Sequence, residues 1–333
     1  CSNSAEAIKL LGAKLTEQTL TRIFKGDQPI SYETANRLEL VTGVPARMWN
    51  NLEAQYREHL AKQEERQRLE ADKAWLKTIP IKELIERGHV EPDDDKVNLV
   101  RKVLAFFGVC SVQAWQEIWT APAVAARRSG CFESRQGDAA AWIRQGELQA
   151  QQIECAPFDK TRFSAALEEI RTLTREESVV FEPRMKELCA NAGVAVALVR
   201  EMRKVPWNGA TKWLTPNKAM ILLSLRGKRE DRFWFSFFHE AGHVLKDKKK
   251  RLFINDESNG DIEKKADAFA AETLIPAKHD ARISSCRSKQ DIILLADELS
   301  ISPGIVAGRY QFLTGQWQMF RELIRKLEWQ TDF

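Results

Sequence analysis

Apolar positions recur at three- and four-residue spacing over most of this chain and change to strand-length runs only beyond residue 193. Ala5 to Leu11 is apolar at helical spacing and stops at Gly12. Thr16 can cap a helix that runs through Phe24 and ends near Gly26. Pro29-Ile30-Ser31 reads as a turn, with Ser31 capping a helix to Thr42. Gly43 breaks that helix, and Pro45 opens the next. Residues 50–78 form one highly charged segment whose acidic and basic residues alternate at helical spacing, as on an exposed helix. Its apolar heptad is not sustained, which argues against a coiled coil.

Residues 79–190 read as mostly helical, with apolar pieces at Val97–Phe107, Val112–Trp119, Ala139–Ile153 and Phe163–Leu173. Val194–Val199 and Ala219–Leu225 have the length and composition of strands, and Ala210–Leu214 is a third candidate. A helix from about Arg232 to Lys246 follows, then a basic loop at Lys246–Arg251, a helix from Ile262 to Leu274 ending at Pro276, and two further helices. The expected fold class is α+β and mostly helical, with one small sheet. The zones are 1–60 (short helices), 61–78 (charged connecting helix), 79–190 (helical middle region) and 191–333 (helices with the sheet). There is no internal repeat.

The length of 333 residues agrees with two or three domains. A hydrophobic fraction of 44% and a charged fraction of 29% are those of a globular chain. The formal charge of +4 permits a local nucleic-acid face without requiring one. Six cysteines form no C-x-x-C pair, which predicts free thiols and a cytoplasmic, reducing setting. No run approaches the roughly 18 apolar residues of a membrane span, and no signal peptide is present, so no membrane partner is expected. The chain opens on Cys1 in what reads as the interior of a domain, which predicts a natural N-terminus further upstream.

Histidine is scarce, with five in the chain. His239 and His243 are four apart on one predicted helix, which puts both imidazoles on one face where they can share an ion. Glu240 between them can reach a water on that ion and take its proton as the water attacks a carbonyl. Phe233, Trp234, Phe235, Phe237 and Phe238 precede the pair and predict a buried helix, where such polar groups need a partner. A catalytic zinc usually takes three protein ligands and leaves one position open. Glu263, on the next helix, is the expected third. Asp267, one turn on, is placed to hold a histidine ring through its second nitrogen. Nitrogen and oxygen donors of this kind also suit manganese or iron. His279 is read as an exposed loop residue rather than a ligand, and His59 and His89 as surface residues. Trp142, Arg144, Gly146 and Glu147 are read as packing against the C-terminal zone, and the basic run as a solvated loop.

The stretches FWFSFFHEAGHVLKD and IEKKADAFAAETLIP resemble the ImmA/IrrE family of metallo-endopeptidases. The likeness rests on the H-E-x-x-H residues and on Glu263, Ala266, Asp267, Phe269, Ala270, Leu274, Ile275 and Pro276, and it extends over roughly 190 to 315. It implies a zincin-like peptidase domain, zinc as cofactor, His239, His243 and Glu263 as ligands, and Glu240 as the base.

The stretch TLTRIFKGDQPISYETANRLELVTGVPARMWNNLEAQYR resembles the XRE-type helix-turn-helix in its HigA-like branch, without a complete first helix. That likeness implies DNA as a partner, with Thr16, Gln18, Thr19 and Arg22 facing bases and Lys25 a phosphate. It also brings in a toxin partner and a homodimer. Together the two resemblances predict a zinc endopeptidase whose protein substrate is an XRE-type repressor. The alternative is a DNA-binding regulator or antitoxin in which the metal site is structural or sensory.

Overall fold

The computed structural model describes residues 16–119, 136–246, 253–254 and 260–329. The predicted helix over Ala5–Leu11 and most of the basic run Lys246–Arg251 lie outside the described residues. The chain forms two compact units. One holds the described residues up to 73 together with 95–100, and the other holds 74–94 and the described residues from 101 onward.

The first unit is built from α1 (Glu17–Phe24), α2 (Tyr32–Thr42) and α3 (Ala46–Ala71). Its helix starts are those the capping residues dictate. The Thr16 hydroxyl accepts from the Thr19 amide at 3.2 Å, and the Ser31 hydroxyl from the Thr34 amide at 3.1 Å. Gly43, at φ +73°, ends α2 in the left-handed region that favours glycine. The Glu39 carboxylate then accepts from the Ala46 amide at 2.6 Å and caps α3. Leu20, Ala35, Ala46 and Leu69 are buried, while the charged length of α3 is solvated, as its alternating pattern predicts. Arg66 of α3 pairs with Asp95 at 2.8 Å.

The second unit contains α4 (Ile81–Glu86), most of α5 (Lys96–Phe107) and a helix α6 over 112–119. Contrary to the expectation that no run approaches a membrane span, the stretch Lys96–Trp119 has the length and mean hydropathy of one. It breaks at Gly108, at φ +70°, and buries Val103, Phe107, Trp115 and Trp119. Phe107 packs edge-on against both tryptophans at 5.7 and 5.6 Å. Then follow α7 (Gln136–Gln152), α8 (Lys160–Thr172) and α9 (Ser178–Asn191), which lead into the sheet.

Strands β1 (Val194–Leu198), β2 (Gly209–Thr215), β3 (Lys218–Leu223) and β4 (Phe253–Ile254) lie in the order β1-β3-β2-β4. β1 runs parallel to β3, while β2 is antiparallel to both β3 and β4. Alternation assigns the two faces of the sheet. Val194, Val196, Ala219, Ile221 and Leu223 join the main core with Trp234, Phe237 and Phe238. On the other face Leu222 meets α7, where Gly146 leaves no room for a side chain: a Cβ there would lie 2.7 Å from a Leu222 methyl. Trp142 is fully buried in the same layer, and Gln149 accepts the β1 edge amide of Leu198 at 3.1 Å. The WIRQGE segment therefore covers the back of the sheet. For this reason the region 101–190 shares one compact unit with the C-terminal zone.

Five further α-helices and two short 3-10 turns belong to the unit among the described residues. They include α10 (Glu230–Lys246), α11 (Gly260–Leu274), α12 (Asp280–Ser285), α13 (Lys289–Leu299) and α14 (Pro303–Thr314). Three helices, where two were expected, follow α11. α12 is six residues long, too short to register as a period in the sequence.

Candidate metal centre

Aromatic positions explain why α10 is buried. Trp234, Phe237 and Phe238 are fully buried, and Phe181 of α9 packs its ring on Trp234 at 4.9 Å. At its start, the Glu230 carboxylate is fully buried yet fully partnered. Oε1 accepts from the Arg325 amide at 2.8 Å, and Oε2 accepts from Arg325 Nε at 2.7 Å and from the Ser302 hydroxyl at 3.0 Å. This network ties the first turn of α10 to the chain beyond α14. Sequence reasoning missed it, because its members are about 70 and 95 residues apart.

Three turns on, His239, Glu240 and His243 project from α10 with 1%, 0% and 0% of their surface exposed. α11 packs directly against this stretch. Gly242 permits the approach, since a Cβ there would press on Phe269 at 3.1 Å and on the Ala266 backbone at 3.4 Å. Glu263 of α11 is buried as well. Its Oε2 lies 3.0 Å from His239 Nε2 and its Oε1 3.5 Å from His243 Nε2, and the two Nε2 atoms are 3.0 Å apart. The three donors all lie within 4.8 Å of one another. Asp267, one turn along α11, has Oδ1 2.8 Å from His239 Nδ1.

The tautomer follows from that last contact. An ionised aspartate only accepts, so Nδ1 of His239 donates to it. In the neutral ring the lone pair is then on Nε2, facing the Glu263 carboxylate at 3.0 Å. Two lone pairs at that distance repel unless a cation lies between them. In the metal-free protein a proton does this. Burial alone would depress the His239 pKa, but the hydrogen bonds to Asp267 and Glu263 and the charges of Glu240 and Glu263 outweigh it, and raise it to about 10. Burial would raise Glu263, but its contacts with the two imidazoles hold it below the usual range. The Oε1 atoms of Glu240 and Glu263 are buried without a hydrogen-bond partner. Two imidazole nitrogens and a carboxylate, with orphaned oxygens turned inward, fit a divalent cation with a nitrogen-rich preference such as zinc.

Glu240 is held from the sheet. The Thr211 hydroxyl of β2 donates to its Oε2 at 2.7 Å and lies 3.1 Å from its backbone carbonyl. Burial raises the Glu240 carboxyl above its ordinary value, opposed by the two histidines and by Thr211. Gly209, at the start of β2, leaves space for the other oxygen: a Cβ there would sit 2.6 Å from Glu240 Oε1. Neither Thr211 nor Gly209 carries a signal in the sequence, because β2 is joined to α10 only through the fold.

The other expectations divide. His59 and His89 are exposed, and His279 is half-buried, away from the donor cluster. Arg144 bridges the end of α5 and Glu147, donating to the Phe106 carbonyl and to the Glu147 carboxylate, while Lys212 of β2 pairs with the same glutamate. On α1 and its caps, Thr16, Gln18, Arg22 and Lys25 are exposed, whereas Thr19 is half-buried and its hydroxyl shares a hydrogen bond with the Thr16 hydroxyl at 2.9 Å.

Residues 195–310 match the family model Peptidase_M78, the IrrE N-terminal-like domain. The match takes in the sheet, both donor-bearing helices and α14. No curated protein matches the chain.

Proposed function

We propose that this chain is a zinc-dependent regulatory endopeptidase with its own DNA-binding module, acting in the cytoplasm on a transcriptional repressor or a similar protein. The observation that carries the reading is the convergence of His239, His243 and Glu263 beside an inward-turned Glu240, within the stretch similar to the IrrE-type peptidase domain. A zinc ion held by these three donors supplies a Lewis acid that polarises a carbonyl and acidifies a water. Glu240, kept within reach by Thr211, accepts the proton of the attacking water at its free Oε1 and returns it to the leaving amine. Its raised pKa suits both halves of that task. Asp267 fixes the His239 ring so that Nε2 remains the donor. The free thiols at Cys110, Cys155, Cys189 and Cys286 agree with a reducing compartment.

Glu240→Gln is expected to retain stoichiometric metal, measured by mass spectrometry, while losing cleavage of a repressor encoded beside it. A fully active variant defeats the mechanism.

A second reading, a DNA-binding regulator or antitoxin with a structural or sensory metal, is supported by α1. There Arg22 and Lys25 are exposed, and neither has an ion-pair partner among the described residues. A gel shift on the protein's own promoter at low salt should show binding that weakens steeply with added salt. No retardation at 50 mM salt argues against it.

A further inference from the structure

The face of α10 that carries His239 continues back through Ser236, Phe235 and Arg232, at the spacing of one helical stripe. This stripe, with α11 and α14, walls a pocket of about 630 Å³. The pocket lies beside the metal cluster, although none of His239, Glu240, His243 and Glu263 lines it. Asp267, which holds His239, is part of its wall, and the Phe235 ring lies 6.4 Å from the His239 ring. Asn208, next to the glycine that leaves space for Glu240, lines the same pocket. Further out its wall is apolar: Ala271, Leu274, Ile275 and Ile305. Two large aromatics at its mouth are left uncovered, Phe312 at 68% and Trp317 at 56%.

A second cavity, of about 750 Å³, shares Arg229, Arg232 and Trp317 with the first. Its other walls include Lys228, Arg321, Arg325 and Lys326. Some of this charge is internally neutralised: Arg229 pairs with Asp231, Arg325 with Glu230, and Lys326 with Glu328. Arg232 and Arg321 are exposed and form no ion pair among the described residues, while exposed Lys228 lies in the field of Glu328 and Glu201 also lines the cavity. An apolar pocket beside the metal donors thus opens into a basin of surplus positive charge.

We infer that the protein substrate is recognised by a segment in which a large apolar side chain fills the pocket between α10, α11 and α14 while adjacent acidic side chains lie in the basin at Lys228, Arg232 and Arg321. The inference rests on the proteolytic reading and adds its substrate class. The pocket supplies selectivity for the apolar side chain by burial, and the basin supplies selectivity for charge and a salt-sensitive encounter rate.

The test uses the full chain, zinc-loaded and carrying Glu240→Gln so that nothing is turned over. Four fluorescein-labelled peptides on a Gly-Ser frame are compared by anisotropy. The reference has a central Phe flanked on each side by two Glu, and the others replace Phe by Ser, all Glu by Gln, or all Glu by Lys. The reference is expected to bind tightest. Loss of Phe should cost roughly tenfold or more. The Lys peptide should bind several-fold more weakly at low salt, with the gap closing by 1 M salt. Reversing both free arginines (Arg232→Glu with Arg321→Glu) should invert the Glu-over-Lys preference and leave the Phe dependence in place, and Trp317→Ala should do the opposite. Equal affinities for the four peptides, no binding at millimolar concentration, or a charge preference that the reversal leaves unmoved each overturn the assignment. Wild-type protein that binds with this selectivity but cuts none of the peptides overturns the proteolytic reading instead.

Discussion

Thr211→Val removes one hydroxyl from a fully buried site and leaves a side chain of nearly the same shape. The lost bond, 2.7 Å to Glu240 Oε2, is charge-assisted when the carboxylate is ionised. Bonds of that class contribute about 1.5–3 kcal/mol. The other oxygen of Glu240 has no hydrogen-bond partner, so nothing in the protein replaces the bond. The hydroxyl favours the charged form. Its removal therefore pushes a carboxyl already raised by burial further up. Only the part of that energy lost on protonation shifts the titration, so the acidic limb of kcat/KM for the zinc-loaded enzyme should move to higher pH, lowering the rate several-fold at a fixed pH on that limb. The stability of the metal-free protein supplies an independent check. A folded-state pKa above the unfolded value favours the protonated fold. The deficit of Thr211→Val relative to wild type should then be small in acid, where Glu240 is neutral, and grow as pH rises through its titration. Thr211→Ser keeps a hydroxyl and should restore the limb. An unshifted limb in Thr211→Val, with metal content unchanged, refutes the role assigned to Thr211.

Two further substitutions probe the same centre from other sides. Asp267→Ala frees the His239 ring and should weaken zinc binding by about 10- to 100-fold in a competitive chelator titration; an unchanged affinity would remove Asp267 from the site. Gly209→Ala places a methyl 2.6 Å from Glu240 Oε1 and should lower kcat by an order of magnitude or more with zinc occupancy intact, because the carboxylate rather than a donor is displaced.

Local signals carried far in this chain. The caps at Thr16, Ser31 and Gly43 mark helix boundaries that the structure reproduces, because each acts within three or four residues. Runs such as VAVAL and AMILL are apolar throughout because both faces of β1 and β3 are covered, so they read as strands without alternation. The two histidines of α10 share a face by helical period alone, and Glu263 and Asp267 repeat that spacing on α11. What could not be read is whatever depends on β2 meeting α10. Thr211 and Gly209 lie about 30 residues from Glu240, in a strand whose sequence, GATKWLT, is ordinary. That the WIRQGE segment packs on the C-terminal zone was legible, but not that α7 meets the sheet there. Its small residues are buried because a sheet covers them, and the sheet begins more than 40 residues later.

Burial alone does not mark Glu240 as reactive, since α10 buries two carboxylates completely, Glu230 and Glu240. They differ in how far they are satisfied. Each oxygen of Glu230 accepts hydrogen bonds, from Arg325 and Ser302, and a positive guanidinium balances its charge. A carboxylate so partnered has no oxygen left to turn toward a reacting group, and its role is to anchor the helix. Glu240 has one oxygen held by Thr211 and one with no partner, on the same face of the fold as a glutamate and two imidazoles that need a cation between them. Leaving a buried oxygen unpaired costs about 1–3 kcal/mol, which packing elsewhere must offset. Selection for stability alone would satisfy it as it satisfied Glu230. On the proteolytic reading, the unsatisfied oxygens of Glu240 and Glu263 mark where the chain gives up stability for chemistry. They also imply that an ion bound at His239, His243 and Glu263 contributes directly to folding, since it supplies the partner that the metal-free fold lacks.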